Sequence, residues 1–196
     1  MNYVEFITGK FTGKTVHIVG SGPSLTGFDY RKLSGRTIIP VNHAYKKVPG
    51  YAFKVAIDAN FFNREDAEAI GRGLTLSPAH AAKGPGVINF RMASHFSTEP
   101  GPVYAYGSSG LAALSMALQG DAARVVLWGL DYTFINGRHH ATQGEFLHSQ
   151  GEGREHIFSA QASKFAVFPA EKIVNASAES AITYFQKVSI EDALKY

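Results

Sequence analysis

Short β-branched runs that stop at glycine or at a polar residue alternate along this chain with segments of helical periodicity. Thr15-Val16-His17-Ile18-Val19-Gly20 reads as a strand entering the tight turn Ser21-Gly22-Pro23-Ser24. Pro23 suits a first helical position and Ser21 a cap, so residues 23–34 are expected to be a helix or helical turn. Residues 36–41 form a second strand whose Pro40 marks an end or edge, with Asn42 at its exit. Residues 54–58 form a third, ending in Asp58, and residues 60–71 carry a helix-like pattern. Residues 74–76 and 87–90 are short strand candidates. The segment after Gly107-Ser108-Ser109-Gly110 is apolar on nearly all sides, the mark of a helix buried between layers. Arg124 to Gly129 is the clearest buried strand, ending in Leu130-Asp131-Tyr132. Residues 154–167 fit a helix, 172–175 a last strand, and Ser189-Ile190-Glu191-Asp192 a capping-box start.

This alternation with short links predicts an α/β, Rossmann-like fold: a mainly parallel sheet with helices on both faces. With 196 residues the chain is read as one domain over 1–196. Residues 136–156 turn polar and hold four of the eight histidines, which suggests a lid or functional loop within that domain.

Composition narrows the chemistry. Hydrophobic residues make up 45% and charged residues 18%, a balance that folds rather than staying disordered. The absence of cysteine excludes a disulfide framework, an iron–sulfur site and a cysteine nucleophile. The net charge of +3 suits an anionic ligand. No Lys/Arg-rich stripe interleaved with aromatics is visible, which disfavours nucleic acid as a partner. The start lacks the apolar stretch of about 7–15 residues that marks a secretory signal, and no window approaches the roughly 18 apolar residues of a membrane span. The expectation is a soluble, cytoplasmic protein.

Of the 20 glycines, Gly20, Gly22, Gly107, Gly110 and Gly129 sit at strand exits and helix starts where a ligand could approach backbone, while Gly137, Gly144, Gly151 and Gly153 belong to the polar segment. Gly20-Ser21-Gly22 begins like a dinucleotide fingerprint, but Leu25 stands at the third glycine position and Asn42 where a ribose-binding acid belongs. The turn is either a phosphate cradle at a helix start or a tight turn without a ligand. Ser108, Ser109 and Gly110 open a second helix start, either an anion site or a plain serine cap. Asp58 and Asp131 each follow a strand, where an acid holds a ribose, orients a loop, binds Mg²⁺ or simply turns the chain. His139, His140, His148 and His156 are spaced 1, 8 and 8 apart, which fits no metal motif, so no metal site is assigned. A general base among them is the stronger chemistry, with a solvated polar loop as the alternative.

Taken in order, these pieces resemble the bacterial sialyltransferases of glycosyltransferase family 42 and the related MptE-like proteins, which include pterin diphosphokinases and flagellin-modifying motility accessory factors. The resemblance rests on Val19 to Leu25 with Phe28-Asp29-Tyr30 and Leu33, then Val41-Asn42 and Lys54 to Phe62. It continues through Ser108-Ser109-Gly110, Gly129-Leu130-Asp131-Tyr132, Asn136-Gly137 and Asn175-Ala176-Ser177, covering roughly residues 15–180. It implies that Gly20, Ser21, Gly22, Pro23, Ser24 and Asn42 hold a nucleotide, with Asp58, Ser108, Ser109, Gly110, Gly129 and Asp131 as further nucleotide-binding positions. It implies a histidine base, matched best by His148 with His156 in reserve, and places Tyr132 and His140 near the family's phosphate-binding tyrosines. Ser21 stands where the family has asparagine, and Tyr132 is one place out of register.

The implied activity is metal-independent transfer of a sugar from a CMP-sialic-acid-like nucleotide-sugar donor to a glycan or other hydroxyl acceptor, with no cofactor beyond the donor. The MptE side of the resemblance implies instead ATP- and Mg-dependent diphosphate transfer to a hydroxymethylpterin-like substrate. A nucleotide-binding module without chemistry is the third alternative.

Overall fold

The structure, a computed structural model, describes residues 1–64, 73–81, 84–138 and 155–196. Five strands form one parallel sheet: β1 (Thr15–Val19), β2 (Thr37–Pro40), β8 (Arg124–Trp128), β9 (Ile173–Asn175) and β10 (Gln186–Lys187), in the order β10-β9-β8-β1-β2. A second parallel sheet, β3 (Lys54–Val55), β4 (Thr75–Pro78) and β5 (Val87–Phe90), continues it through a parallel bridge between Val41 and Val55. Met92–Ala93 and Val103–Tyr104 make a small parallel pair as β6 and β7. The fold is thus the expected Rossmann-like α/β arrangement.

Alternation along the strands divides the core into two faces. Val16, Ile18, Val125 and Leu127 enter one hydrophobic cluster with the N-terminal Tyr3–Ile7 helix and the Ser109–Gln119 helix. Val19, Val126, Trp128 and Val174 enter another, beneath Leu25, Leu33 and Ala193. Every residue of the Ser109–Gln119 helix is buried, the polar Ser109, Ser115 and Gln119 among its otherwise apolar residues included. Ser108 caps it, its Oγ accepting from Leu111 N at 3.3 Å.

Several elements differ from expectation for local reasons. Residues 23–34 hold two 3-10 turns, Pro23–Leu25 and Tyr30–Leu33, separated by Gly27 at φ +76°, a conformation no helix continues through. Gly22, not Ser21, occupies the cap position, without a side-chain bond of its own. The third strand stops at Val55, short of Asp58. The late helix covers Glu155–Ser163 and tightens into a 3-10 turn over Lys164–Val167. The helix expected over 60–71 is described only as Ala59–Arg64, and most of the segment 136–156 lies outside the described residues. Helix Tyr3–Ile7 and the two-residue strands β6, β7 and β10 had no periodic signal.

β1 has β2 on one side and β8 on the other, so the order of strands reverses between β1 and β8. In open α/β sheets the carboxyl ends of such strands flank the ligand crevice.

Among the described residues His17 is the one fully buried imidazole, 1% exposed within the sheet's packing. Trp128 Nε1 donates to its Nδ1 at 3.1 Å, which requires that nitrogen to keep its lone pair. Burial, aided by the charge of Arg36, holds the ring's pKa down from 6.5 to about 4. Between those values the unfolded chain binds the proton and the folded chain does not, so stability rises from about pH 4 to about pH 6.5 and is complete above. The contribution is on the order of 3 kcal/mol. Urea denaturation at pH 5 and pH 7 should show the lower stability at pH 5, and His17→Gln should flatten the difference; an unchanged pH slope in the variant would refute this role.

Candidate functional site

The exits of β1 and β8 lock into each other. Gly20 N donates to Trp128 O and Gly22 N to Gly129 O, both at 2.8 Å. A Cβ at Gly20 would lie 2.5 Å from Gly129 O and 2.7 Å from Leu130 Cδ2. At Gly22 it would lie 2.6 Å from Gly129 O and collide with the Asp131 carboxylate. Gly129 takes φ +59°, and a Cβ there would meet Leu25 Cδ1 at 2.6 Å. These three glycines therefore serve close approach of one chain segment to another.

Asp131 occupies the position at the Pro23–Leu25 turn where an external anion was expected to sit. It is 3% exposed, and its Oδ2 accepts from Ser24 N at 2.8 Å while Oδ1 accepts from Ser24 Oγ at 2.7 Å. A carboxylate from another strand thus caps the 3-10 turn that lacks a cap of its own. Ser24 Oγ also meets Ser177 Oγ at 2.9 Å, and Ser177 Oγ accepts from Gly129 N at 3.2 Å. Since the Ser24 proton is given to Asp131, Ser177 is the donor to Ser24. Ser177 is positioned in turn by its N–H donating to Asn175 Oδ1 at 3.0 Å. The network ties β1, β8 and β9 together, and it is carried by Ser177 and Asp131 as much as by the glycines. Of the roles open to Asp131 in the sequence, this geometry performs loop orientation.

A second polar group lies at the exits of β2 and β3. Ser109 Oγ accepts from Ile57 N at 3.1 Å and donates to Asn42 Oδ1 at 3.0 Å. With Oδ1 held there, the Asn42 amide nitrogen keeps both protons for another partner. Asn42 stands at φ +51°, a left-handed conformation that asparagine tolerates better than most residues. Beside it, Ser108 Oγ makes a short hydrogen bond with the Tyr132 hydroxyl, which lies where a Cβ on Gly110 would fall. Gly110 is thus required by the tyrosine. Burial, opposed by the Ser108 bond, pushes the Tyr132 phenol up to about 12, so it stays protonated near neutrality and remains a donor.

The helix Glu155–Ser163 closes over this corner. Gln161 Nε2 donates to Gly107 O at 2.9 Å, Lys164 Nζ stands 4.4 Å from the Tyr106 ring centroid, and Phe165 packs against Tyr132 with ring centroids 5.3 Å apart. His156 begins the same helix and is exposed. Asp58 is also exposed, beyond β3. The structure therefore joins Asn42, Ser108, Ser109, Gly110 and Tyr132 in one group and Gly20, Gly22, Ser24, Gly129 and Asp131 in another. His140 and His148, like His139, lie outside the described residues. Among the described residues no three His, Asp or Glu converge as a metal-ligand set, and no helix is long and apolar enough to cross a membrane.

Gly22→Ala is expected to destabilise by about 1–3 kcal/mol or more, because backbone and a paired carboxylate must move. Gly50→Ala, with nothing within 4 Å of the new methyl, should be neutral or slightly stabilising. Equal midpoints in urea for the two variants would contradict the interlock.

No family model matches the chain, and no curated protein matches it. Among solved structures it is similar to the sialyltransferase CstII from Campylobacter jejuni, determined in complex with the substrate analogue CMP-3FNeuAc. The likeness covers 90% of this chain and 86% of that one, with a TM-score of 0.56 and 14% identity. It is a likeness of fold.

Proposed function

We propose that this protein is a glycosyltransferase that takes a nucleotide-sugar donor of the CMP-sialic-acid type and transfers the sugar to a hydroxyl acceptor without a metal. The observation that carries the reading is the Ser109 to Asn42 hydrogen bond at the carboxyl edge of the sheet, which leaves a positioned amide donor there. It is supported by the fold shared with a sialyltransferase bound to a CMP-sugar analogue.

In this reading Asn42 binds the nucleotide, and the Ser108–Tyr132 hydroxyl pair with the helix-start N–H groups receives the leaving phosphate. Tyr132 suits that task because its phenol, held near 12, enters as a hydrogen-bond donor and not as a second negative charge. A histidine, His148 or in reserve His156, takes the acceptor's hydroxyl proton. The acceptor oxygen bonds to the anomeric carbon as the bond from that carbon to the phosphate oxygen breaks, releasing the cytidine nucleotide. The interlock of Gly22, Ser24 and Asp131 acts by positioning the crevice wall. The diphosphate-transfer alternative would draw on Asp58 and Asp131 for Mg²⁺; Asp58 is exposed, whereas both oxygens of Asp131 accept from Ser24.

Thermal melting with cytidine 5′-monophosphate and CMP-sialic acid, with and without EDTA, tests this. Both nucleotides should raise Tm regardless of EDTA, and Asn42→Ala should remove most of the shift. His148→Ala should keep the shift while losing transfer and donor hydrolysis. Stabilisation by ATP with Mg²⁺ alone, or no response to any nucleotide, would overturn the proposal.

A further inference from the structure

A cavity of about 480 Å³ opens at the other end of the sheet, among residues that lead into β1, β2 and β3. Because these strands run parallel, their entries share the amino-terminal edge. With β1 five residues long, this edge stands roughly 15 Å from the carboxyl edge that holds Asn42 and Ser109.

The lining combines charge with an apolar wall. Lys10, Lys14 and Arg36 contribute three cations, and Pro49, Tyr51 and Ala52 contribute accessible apolar surface above the buried Phe11 and Ile38; no Asp or Glu takes part. Among the described residues neither lysine enters an ion pair. Lys10 Nζ rests 3.8 Å from the Phe6 ring centroid, which orients it without neutralising it. Arg36 donates to Leu194 O at 2.5 Å, a carbonyl that likewise carries no charge. Burial and the nearby Lys14 charge hold the Lys10 ammonium below its ordinary pKa. Like charges gathered beside a concave surface without a counter-charge are a standing cost that a bound anion would remove.

We propose that this cavity is a second ligand site, which binds a phosphate-bearing small molecule with its phosphate among Lys10, Lys14 and Arg36 and its organic body against Pro49, Tyr51 and Ala52. The volume lies within the range of small-molecule sites, roughly 300–1,000 Å³. The charge set suits a phosphate monoester or diphosphate, which carries about −2 or more near neutrality. This site does not depend on the glycosyltransferase reading, since its chemistry and its edge of the sheet are separate.

The test is a residue-resolved NMR titration of the full ¹⁵N-labelled chain with ribose 5-phosphate and, separately, inorganic pyrophosphate. Both should shift the amides of Phe11, Gly35 and Gly50 saturably, with ribose 5-phosphate binding more tightly through its covered organic body. Lys10→Gln with Lys14→Gln should weaken binding at least about tenfold, and Lys14→Gln alone, at an exposed position, should weaken it in part while leaving Tm unchanged. Arg91→Gln with Lys172→Gln removes as much charge elsewhere and should change affinity little. Non-saturating shifts, tighter binding of pyrophosphate than of the sugar ester, or equal loss in the Arg91/Lys172 variant would overturn the proposal.

Discussion

The close approach of the β1 exit to the β8 exit is the constraint on which the rest of this structure depends. Gly20, Gly22 and Gly129 leave no room for a Cβ, so two backbone segments meet at hydrogen-bond distance where the strand order reverses. Asp131 then reaches across to cap the Pro23–Leu25 turn, and Ser177 brings the β9 exit into the same network. A negative charge is therefore already built into the glycine turn. An external phosphate would have to compete with a buried carboxylate held by two hydrogen bonds from Ser24, and like charges side by side there are costly.

In the proposed reading, that constraint turns attention for a nucleotide site toward Asn42, Ser109, Ser108 and Tyr132. This corner has what the glycine turn lacks: an amide with protons to give, two hydroxyls at the start of a buried eleven-residue helix, and a phenol kept protonated by burial. The helix Glu155–Ser163 packs against it through Gln161, and the 3-10 turn that continues it through Phe165, which places His156 on the same covering element. The sheet then separates two kinds of surface. Its carboxyl edge holds the polar groups of Asn42, Ser108, Ser109 and Tyr132 beside the Asp131 carboxylate, while its amino edge gathers Lys10, Lys14 and Arg36 around a cavity. The overall charge of +3 does not reveal this division, because a sum carries no position.

Strong periodicity made the central elements readable. The β-branched runs of β1 and β8 and the all-round apolar helix after Ser108 announce buried strands and a buried helix, and all three are found. The glycines were equally visible, yet their purpose was not. A position that must lack Cβ reads the same whether a ligand or another strand fills the space, and only the fold shows Gly129 facing Gly22. Asp131 was visible as a strand-exit acid, but its partner Ser24 lies 107 residues away, beyond any local pattern. His17 falls within an apolar alternation, where its bond to Trp128 leaves no spacing signal. The helical turn after Pro23 was recognised, but the left-handed Gly27 that divides it into two 3-10 pieces was not.

A crystal structure of the protein with cytidine 5′-monophosphate tests the central claim most directly. The account predicts the nucleotide at the carboxyl edge, within hydrogen-bond distance of the Asn42 amide nitrogen and the Ser108–Ser109 helix start. The Ser24 to Asp131 bonds should remain intact. A phosphate that displaces Asp131 from the Ser24 amide, or a nucleotide bound away from Asn42 and Ser109, would contradict it.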